Sequence, residues 1–146
     1  MNLVTLHRLA HALYKRRVPI APRVVSFLGF ALFNSSVPPS VEIGRGTRFA
    51  YGGIGCVIHA RARIGRNCII GQGITIGGRS KHPDVPIIGD NVYIGAGARI
   101  LGPITVGSEV VIGPNAVVIK DIPNGSIVVG IPGRIIKSGI LMRDYV

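Results

Sequence analysis

Tryptophan is absent from this 146-residue sequence, which has only four tyrosines and four phenylalanines. Aromatic rings therefore do not alternate with arginines to form a platform on which nucleic-acid bases could stack. The two cysteines, Cys56 and Cys68, are too few for the disulfide framework of a small secreted domain. We expect both to be small apolar core residues. Glycine does not recur at every third position, which excludes a collagen.

Acidic residues are also scarce. The sequence has six Asp and Glu residues but 17 Lys and Arg residues, which gives a formal net charge of +11. Hydrophobic residues make up 47% of the chain, which excludes a disordered polyelectrolyte. The basic residues are spread along the sequence, and no DNA-reading helix or zinc module accompanies them. The charge alone is compatible with a solvated face, a phosphate-bearing ligand, an anionic membrane or a polyanion-binding structural protein.

No apolar run is long enough to cross a membrane. The longest, Val24–Phe33, has about half of the ~20 residues that a spanning helix needs. The basic run at 15–17 comes late, and two prolines and Arg23 interrupt the region, so the pattern is not typical of a signal peptide. We expect a cytoplasmic protein, with peripheral contact of this basic, apolar N-terminus at the inner membrane face as an alternative.

A six-residue repeat is the dominant pattern from residue 58 onward. Its first position is always a β-branched aliphatic, and glycine follows at seven of the ten repeats. The fifth position is apolar in the nine complete repeats. The ten leading residues are Ile58, Ile64, Ile70, Ile76, Ile88, Ile94, Ile100, Val106, Ile112 and Val118.

A period of six fits a short strand followed by a turn. We expect the leading aliphatic to point inward and the following glycine to adopt turn dihedrals with positive φ. Single repeats cannot bury their own apolar face, so they must stack into a β-solenoid. The segment 77–87 interrupts the repeat but keeps its register, which predicts a loop extruded from one face. A second irregularity lies between Phe49 and Ile58.

The N-terminal region has helical rather than hexad spacing. Over residues 2–16 an apolar stripe is predicted, and residues 22–34 suggest a second, very apolar helix. The predicted stripe consists of Leu3, Leu6, Leu9, Ala10 and Leu13. We expect a helical cap at 1–36, a solenoid domain at 37–137 and a tail at 138–146.

Histidines do not form a recognisable metal site. His7 and His11 share one helix face, and we expect both at the helix surface, because no cysteine or carboxylate is near them in sequence. The zinc-dependent carbonic anhydrase with a similar solenoid needs three histidines, whereas the repeats here offer only His59 and His82. No metal is therefore predicted.

Three segments closely resemble the hexapeptide-repeat acyltransferases, in particular their serine acetyltransferase-like branch. They read IGQGITIGG at 70–78, IIGDNVYIGAGARILGPITVG at 87–107 and VIGPNAVVIKDIPNGSIVVGIPGRII at 111–136. The resemblance covers roughly residues 40–137. The short helical leader resembles that of small surface-polysaccharide acetyltransferases.

This resemblance implies an all-β fold, a left-handed parallel β-helix with a short N-terminal helical segment. It also implies a homotrimer, acetyl-CoA bound between neighbouring solenoids, and direct transfer of the acetyl group to a hydroxyl with histidine as general base. No metal takes part. Carried over residue by residue, the implied cofactor-binding positions are Gly78, Ala96, Pro114, Lys120, Gly130, Pro132 and Arg134, with Gly133 in the same closing segment.

The implied catalytic residues match less well. Where the family places its main histidine, this sequence has Tyr51, followed by Gly52 and Gly53. Tyrosine is a poor base at neutral pH, but it can orient an acceptor hydroxyl. His82 in the extruded loop is the best-placed remaining base, and His59 is the second candidate. We expect acceptor contacts from Tyr51, Gly52 and Asp84.

These observations favour a CoA-dependent O-acetyltransferase whose acceptor is a small or carbohydrate hydroxyl, with a surface polysaccharide or glycolipid sugar as the main expectation. Two alternatives remain. One is a CoA-binding or scaffolding solenoid with impaired catalysis, and the other is a serine O-acetyltransferase.

Overall fold

The computed structural model describes all 146 residues, with two N-terminal helices followed by a parallel β-solenoid. Helix α1 spans Leu3–Lys15 and helix α2 spans Ala21–Phe33. The Asn2 side chain caps α1 by accepting a 3.1 Å hydrogen bond from the Val4 amide. Neither helix is both long and apolar enough to cross a bilayer.

The solenoid is a three-sided prism whose short strands stack from coil to coil. Within each coil the chain runs from face 1 to face 2 to face 3, and equivalent strands of successive coils pair in parallel. Face 1 contains β1 (Glu42–Ile43), β4 (Arg63–Ile64), β7 (Ile87–Ile88) and β10 (Thr105–Val106). Face 2 contains β2 (Arg48–Phe49), β5 (Ile69–Ile70), β8 (Tyr93–Ile94), β11 (Val111–Ile112) and β13 (Ile127–Val129). Face 3 contains β3 (Val57–Ile58), β6 (Thr75–Gly77), β9 (Arg99–Leu101) and β12 (Val117–Val118).

The core follows the sequence repeat. All ten leading aliphatics are buried, and so are the apolar residues at the fifth hexad positions, including Cys68. Cys56 is buried as well, and both thiols are free, as predicted. This arrangement is the left-handed parallel β-helix expected for the hexads.

The glycines after the leading aliphatics serve a different purpose from the one predicted. None of the seven has a positive φ. Most are needed because the next coil passes too close for a side chain: a Cβ on Gly71 would lie 2.6 Å from the Ala96 nitrogen. The left-handed conformations occur two residues further on, at positions such as Asn67 and Gly73. The prediction of positive φ at the first glycine was therefore wrong.

The helices form a hairpin that packs on the first coil. Leu3 is buried, a Cβ on Gly53 would lie 2.6 Å from its Cβ, and the Asn2 side-chain amide donates to the Phe49 carbonyl at 3.3 Å. The buried side of α1 consists of Leu3, His7 and Ala10, whereas Leu9 is 52% exposed. The predicted stripe is therefore rotated, because histidine rather than leucine occupies the central inward position.

His7 is the clearest departure from the sequence-based expectation. It is buried rather than at the surface, and its Nε2 lies 3.0 Å from the carbonyl oxygen of Val41, just before β1. Burial lowers its pKa from 6.5 to about 4. His11, half-buried beside it, makes a 2.7 Å hydrogen bond through Nδ1 to the Pro39 carbonyl. The two rings stack with centroids 5.8 Å apart.

The far end of the prism is closed by a strand of opposite direction. Strand β14 (Arg134–Lys137) pairs antiparallel with β13 on face 2. Ile140 and Met142 beyond it are buried, and the Met142 amide donates to a Glu109 carboxylate oxygen at 2.8 Å.

Candidate active site

The predicted site residues fall on two edges of the prism. The edge joining face 2 to face 3, here the Tyr51 corner, consists of the turns at 50–56, 71–74, 95–98, 113–116 and 130–133. The edge joining face 3 to face 1, here the loop corner, consists of 59–62, 78–86, 102–104 and 119–121. Face 3 lies between them.

Tyr51 lies in an irregular turn at the first coil. The 3-10 segment Ala50–Gly53 contains Tyr51 at φ 50° and Gly52 at φ 78°, and these left-handed conformations turn the chain outward. The Tyr51 side chain is 78% exposed. A Cβ on Gly52 would lie 3.3 Å from the Phe33 ring, so this turn abuts the end of α2.

Below this turn the chain stacks four of the predicted cofactor positions. The Ala96 carbonyl accepts a 2.9 Å hydrogen bond from the Asn115 amide, which fixes Pro114 beneath Ala96. Gly130 and Pro132 form the next turn, where the Gly130 carbonyl accepts a 3.0 Å bond from the Val117 amide. All of them belong to the Tyr51 corner.

His59 occupies the loop corner, immediately after β3. Its amide donates a 2.8 Å bond to the Ile76 carbonyl of the next coil, and its ring is half-buried. Its Nδ1 accepts a 3.1 Å hydrogen bond from the Arg61 amide. A Cβ on Gly78 would lie 3.8 Å from the His59 ring and 3.5 Å from Val85. His59 therefore packs against the base of the extruded loop.

His82 lies in the exposed part of that loop. Its amide donates a 3.1 Å bond to the Arg79 carbonyl, and Lys81 has a left-handed φ of 69°. No carboxylate within the chain makes a hydrogen bond or ion pair to the His82 ring. Its ring is therefore open to a ligand or to a neighbouring subunit.

The loop also covers a groove that contains charges of both signs. A cavity of about 290 Å³ is lined by Asp84 from the loop, Arg61 and Arg63 from the solenoid, and Thr105 from face 1. Arg63 also forms a 3.6 Å ion pair with Glu42, whereas Asp84 forms none. This groove places an acidic and a basic side chain next to the His82 loop.

The two corners do not form one site within a single chain. They lie at opposite ends of face 3, and β3 with its two neighbours, Cys56 to His59, spans roughly 10 Å. His59, His82, Asp84, Gly78 and Lys120 belong to the loop corner or its turns. The other corner contains Tyr51 and Gly52 together with the predicted cofactor positions Ala96, Pro114, Gly130 and Pro132. Arg134 begins β14 beyond them.

Sequence reasoning missed three arginines that the fold brings near these corners. Arg61 and Arg63 line the charged groove. Arg99 lies on the outer side of face 3, between the two corners, and its guanidinium donates to the Gly73 carbonyl. For Arg63 and Arg99 the available signal was their position directly before a leading aliphatic, which faces outward in the hexads. No cluster of three or more His, Cys, Asp or Glu side chains suits a metal ion.

Comparison with known proteins agrees with this architecture. Residues 86–120 match the family described as bacterial transferase hexapeptide (six repeats). Serine acetyltransferase from Synechococcus elongatus is 43% identical over 75 residues, covering 51% of this chain and 30% of that protein. Serine acetyltransferase from Bacillus subtilis is 40% identical over 90 residues, covering 58% and 41%.

Solved structures extend the match to almost the whole chain. A serine acetyltransferase from Brucella abortus in complex with coenzyme A superposes with a TM-score of 0.89 at 34% identity, covering 94% of this chain and 56% of that one. The Neisseria gonorrhoeae enzyme in complex with serine gives a TM-score of 0.85 at 32% identity, covering 92% and 55%. The chain thus spans about half the length of these solved relatives and less than half of the curated ones. By its hexads, its fold and these matches, the chain is similar to the hexapeptide-repeat transferases, in particular to the branch that contains the serine acetyltransferases.

Proposed function

We propose that the protein is an acetyl-CoA-dependent O-acetyltransferase. The observation that supports this most is the structural match to serine acetyltransferases over more than nine-tenths of the chain, which includes complexes with CoA. Because these relatives are about twice as long, the activity is inferred from the shared solenoid and tested below.

In this proposal the acceptor hydroxyl loses its proton to His82 as its oxygen attacks the thioester carbonyl carbon. The carbon–sulfur bond breaks, the acetyl ester forms, and the departing thiolate takes up the proton from His82. His59 has its Nδ1 occupied by the Arg61 amide, so its neutral ring has the proton on Nε2. This makes His59 a hydrogen-bond donor, suited to the negative charge that develops on the carbonyl oxygen.

We propose serine as the first acceptor to test. The relatives are named for it, and the groove beside the His82 loop has charges of the signs that a zwitterionic amino acid requires. Asp84 suits the ammonium group, and Arg61 or Arg63 suits the carboxylate. Serine replaces the sugar hydroxyl as the leading acceptor on these grounds.

A carbohydrate acceptor is the second candidate, and Tyr51 is the observation in its favour. An exposed phenol ring offers an apolar surface for a sugar ring and a hydroxyl to orient it. No comparison names a polysaccharide enzyme among the relatives described above, so this candidate rests on Tyr51 alone.

We further propose that the active unit is a homotrimer. The residues at the two corners are too far apart to act together in one chain, whereas packing face 3 of each prism near its neighbour would bring the loop corner of one subunit toward the Tyr51 corner of the next. Such a cyclic arrangement repeats the same contact three times.

The test uses the purified full chain with acetyl-CoA and either serine or a panel of sugar nucleotides and oligosaccharides. Release of the CoA thiol is followed with a colorimetric thiol reagent, and the acetylated product is identified by mass spectrometry. We expect serine to be acetylated, and His82→Gln to lower kcat at least 100-fold, within the range of general-base catalysis. His11→Gln, on the helical hairpin, is the matched control. No product with any acceptor, together with no rise in Tm on adding acetyl-CoA, would overturn the proposal.

Impaired catalysis is the remaining alternative. It predicts stabilisation by acetyl-CoA without turnover, and activity that appears only in the Tyr51→His variant. That result would make this chain a binding protein derived from an enzyme.

A further inference from the structure

The outer helix of the hairpin exposes a large apolar surface. Helix α1 packs on the first coil and α2 packs on α1. Apart from Arg23, no residue of α2 is charged, and only Pro22 and Gly29 are fully buried. Phe27 is 63% exposed, and Phe30 and Leu32 are more than half exposed. A helix that leaves this much apolar surface in water is expected to have a partner.

A basic cavity opens beside this surface. About 780 Å³ in volume, it lies where α1 ends and α2 begins, and Lys15, Arg17 and Arg23 line it. A second cavity, of about 300 Å³, is lined by Phe27 and Phe30. The two share Arg23 and Pro39, so they adjoin. A positively charged region thus leads directly into an aromatic groove, which matches an anionic head group followed by an apolar chain.

The charge of the hairpin is entirely of one sign. Five basic residues and no acidic residue precede Glu42. A second copy of the same hairpin would bring like charges together, whereas an anionic surface complements them. Among the possible occupants, an anionic bilayer satisfies both the apolar and the basic features.

We propose that the hairpin docks on anionic phospholipid membranes, with the exposed side of α2 in the interfacial layer and Lys15, Arg17 and Arg23 at the phosphate groups. An apolar helix flanked by basic residues binds a bilayer through burial of its apolar surface and through attraction to anionic lipids. The electrostatic contribution weakens as the salt concentration rises. The inference does not depend on the acetyl-transfer activity.

The test is sedimentation of the full chain with phosphatidylcholine vesicles, with and without phosphatidylglycerol. We expect binding only when phosphatidylglycerol is present. The triple variant Lys15→Gln, Arg17→Gln, Arg23→Gln is expected to bind about 100-fold more weakly, since each basic side chain at the surface contributes about fivefold. The matched control removes the same charge from the solenoid through Arg45→Gln, Arg48→Gln and Arg66→Gln, and it retains most of the binding.

A second variant separates lipid docking from self-association. Phe27→Gln with Phe30→Gln changes exposed positions, and circular dichroism and Tm establish that it is folded. We expect it to lose vesicle binding while its size in solution stays the same. Vesicle binding that survives this variant, equal binding to both vesicle types, or no vesicle binding with a change in oligomeric size would each overturn the proposal. The last result would instead identify α2 as an interface between copies of this chain.

Discussion

The backbone amide of Arg61 donates a 3.1 Å hydrogen bond to Nδ1 of His59, across the tight turn that follows β3. A ring nitrogen that accepts a hydrogen bond cannot also have a proton. The neutral imidazole therefore presents an N–H at Nε2, toward the base of the extruded loop. This single contact distinguishes the roles proposed for the two solenoid histidines, because no such hydrogen bond constrains the His82 ring.

Substitution by glutamine should therefore have different effects at the two histidines. We expect His59→Gln, which keeps a side-chain N–H donor, to retain more activity than His59→Ala, whose kcat falls about 10²–10³-fold. Neither change should remove the acidic limb of the pH–rate profile. His82→Gln should abolish that limb, because it removes the proposed base. The measurement is kcat/KM against pH for the four proteins, and loss of the acidic limb in His59→Gln would contradict the assignment.

Buried His7 predicts an acid-sensitive fold. Its pKa falls from 6.5 to about 4 on burial, so the unfolded chain binds a proton in this range that the folded chain does not. The contribution of His7 to stability is complete above pH 6.5 and is lost as the pH falls toward 4, a loss of about 3 kcal/mol. His11 and Arg8, which face the ring, also disfavour its charge. Urea unfolding between pH 7 and pH 4 measures the slope, which should flatten in His7→Gln and persist in His11→Gln.

Two glycines at the same hexad position should differ sharply in how well they tolerate substitution by alanine. A Cβ on Gly71 would lie 2.6 Å from the Ala96 backbone nitrogen, whereas a Cβ on Gly77 would meet only side chains, Leu101 at 3.4 Å and Thr75 at 3.6 Å. We expect Gly71→Ala to lower the free energy of unfolding by about 2–3 kcal/mol or more. Gly77→Ala should change it by less than about 1 kcal/mol. Equal Tm values for the two variants would contradict the close-approach explanation.

The cysteines should be unreactive in the folded protein. Cys56 and Cys68 are fully buried, and burial raises the pKa of both thiols. A buried thiol is seldom ionised, and the thiolate is the reactive form. We expect no labelling by a thiol reagent in native buffer and labelling of both residues in guanidinium chloride. Thiol-based assays of CoA release should therefore have a low background, and rapid native labelling of either cysteine would contradict the packing.

Much of the fold could be predicted from the sequence because each complete hexad repeats one pattern, with a buried aliphatic at its first position and an apolar residue at its fifth. Ile58, Val106 and the other leading residues are inward for one physical reason, so ten agreeing positions predict a solenoid. The reason for the glycines was misjudged, because close approach between coils depends on the neighbouring chain, which a single hexad does not contain. His7 was misplaced because helical spacing alone does not distinguish a buried histidine from a surface one.

The site was less predictable than the scaffold. The segment 77–87 was recognised as a loop because it breaks a regular pattern. Arg61, Arg63 and Arg99 were not distinguished from the other arginines, because many arginines of this chain occupy outward-facing positions. Which residues gather at a corner depends on how three faces close into a prism, and residues from three consecutive coils meet there.

Because the strands of successive coils stack in register, the number of coils determines distances along the axis of the prism. Each coil adds about 4.8 Å along its axis. The extruded loop leaves after the second coil, so His82 begins roughly 10 Å from the end that carries the hairpin. If that end rests on a lipid surface, the distance from bilayer to loop is set by the number of coils. Adding three hexads between Ile64 and Ile70 would lengthen it by one step, and it would also separate His59 from the base of the loop.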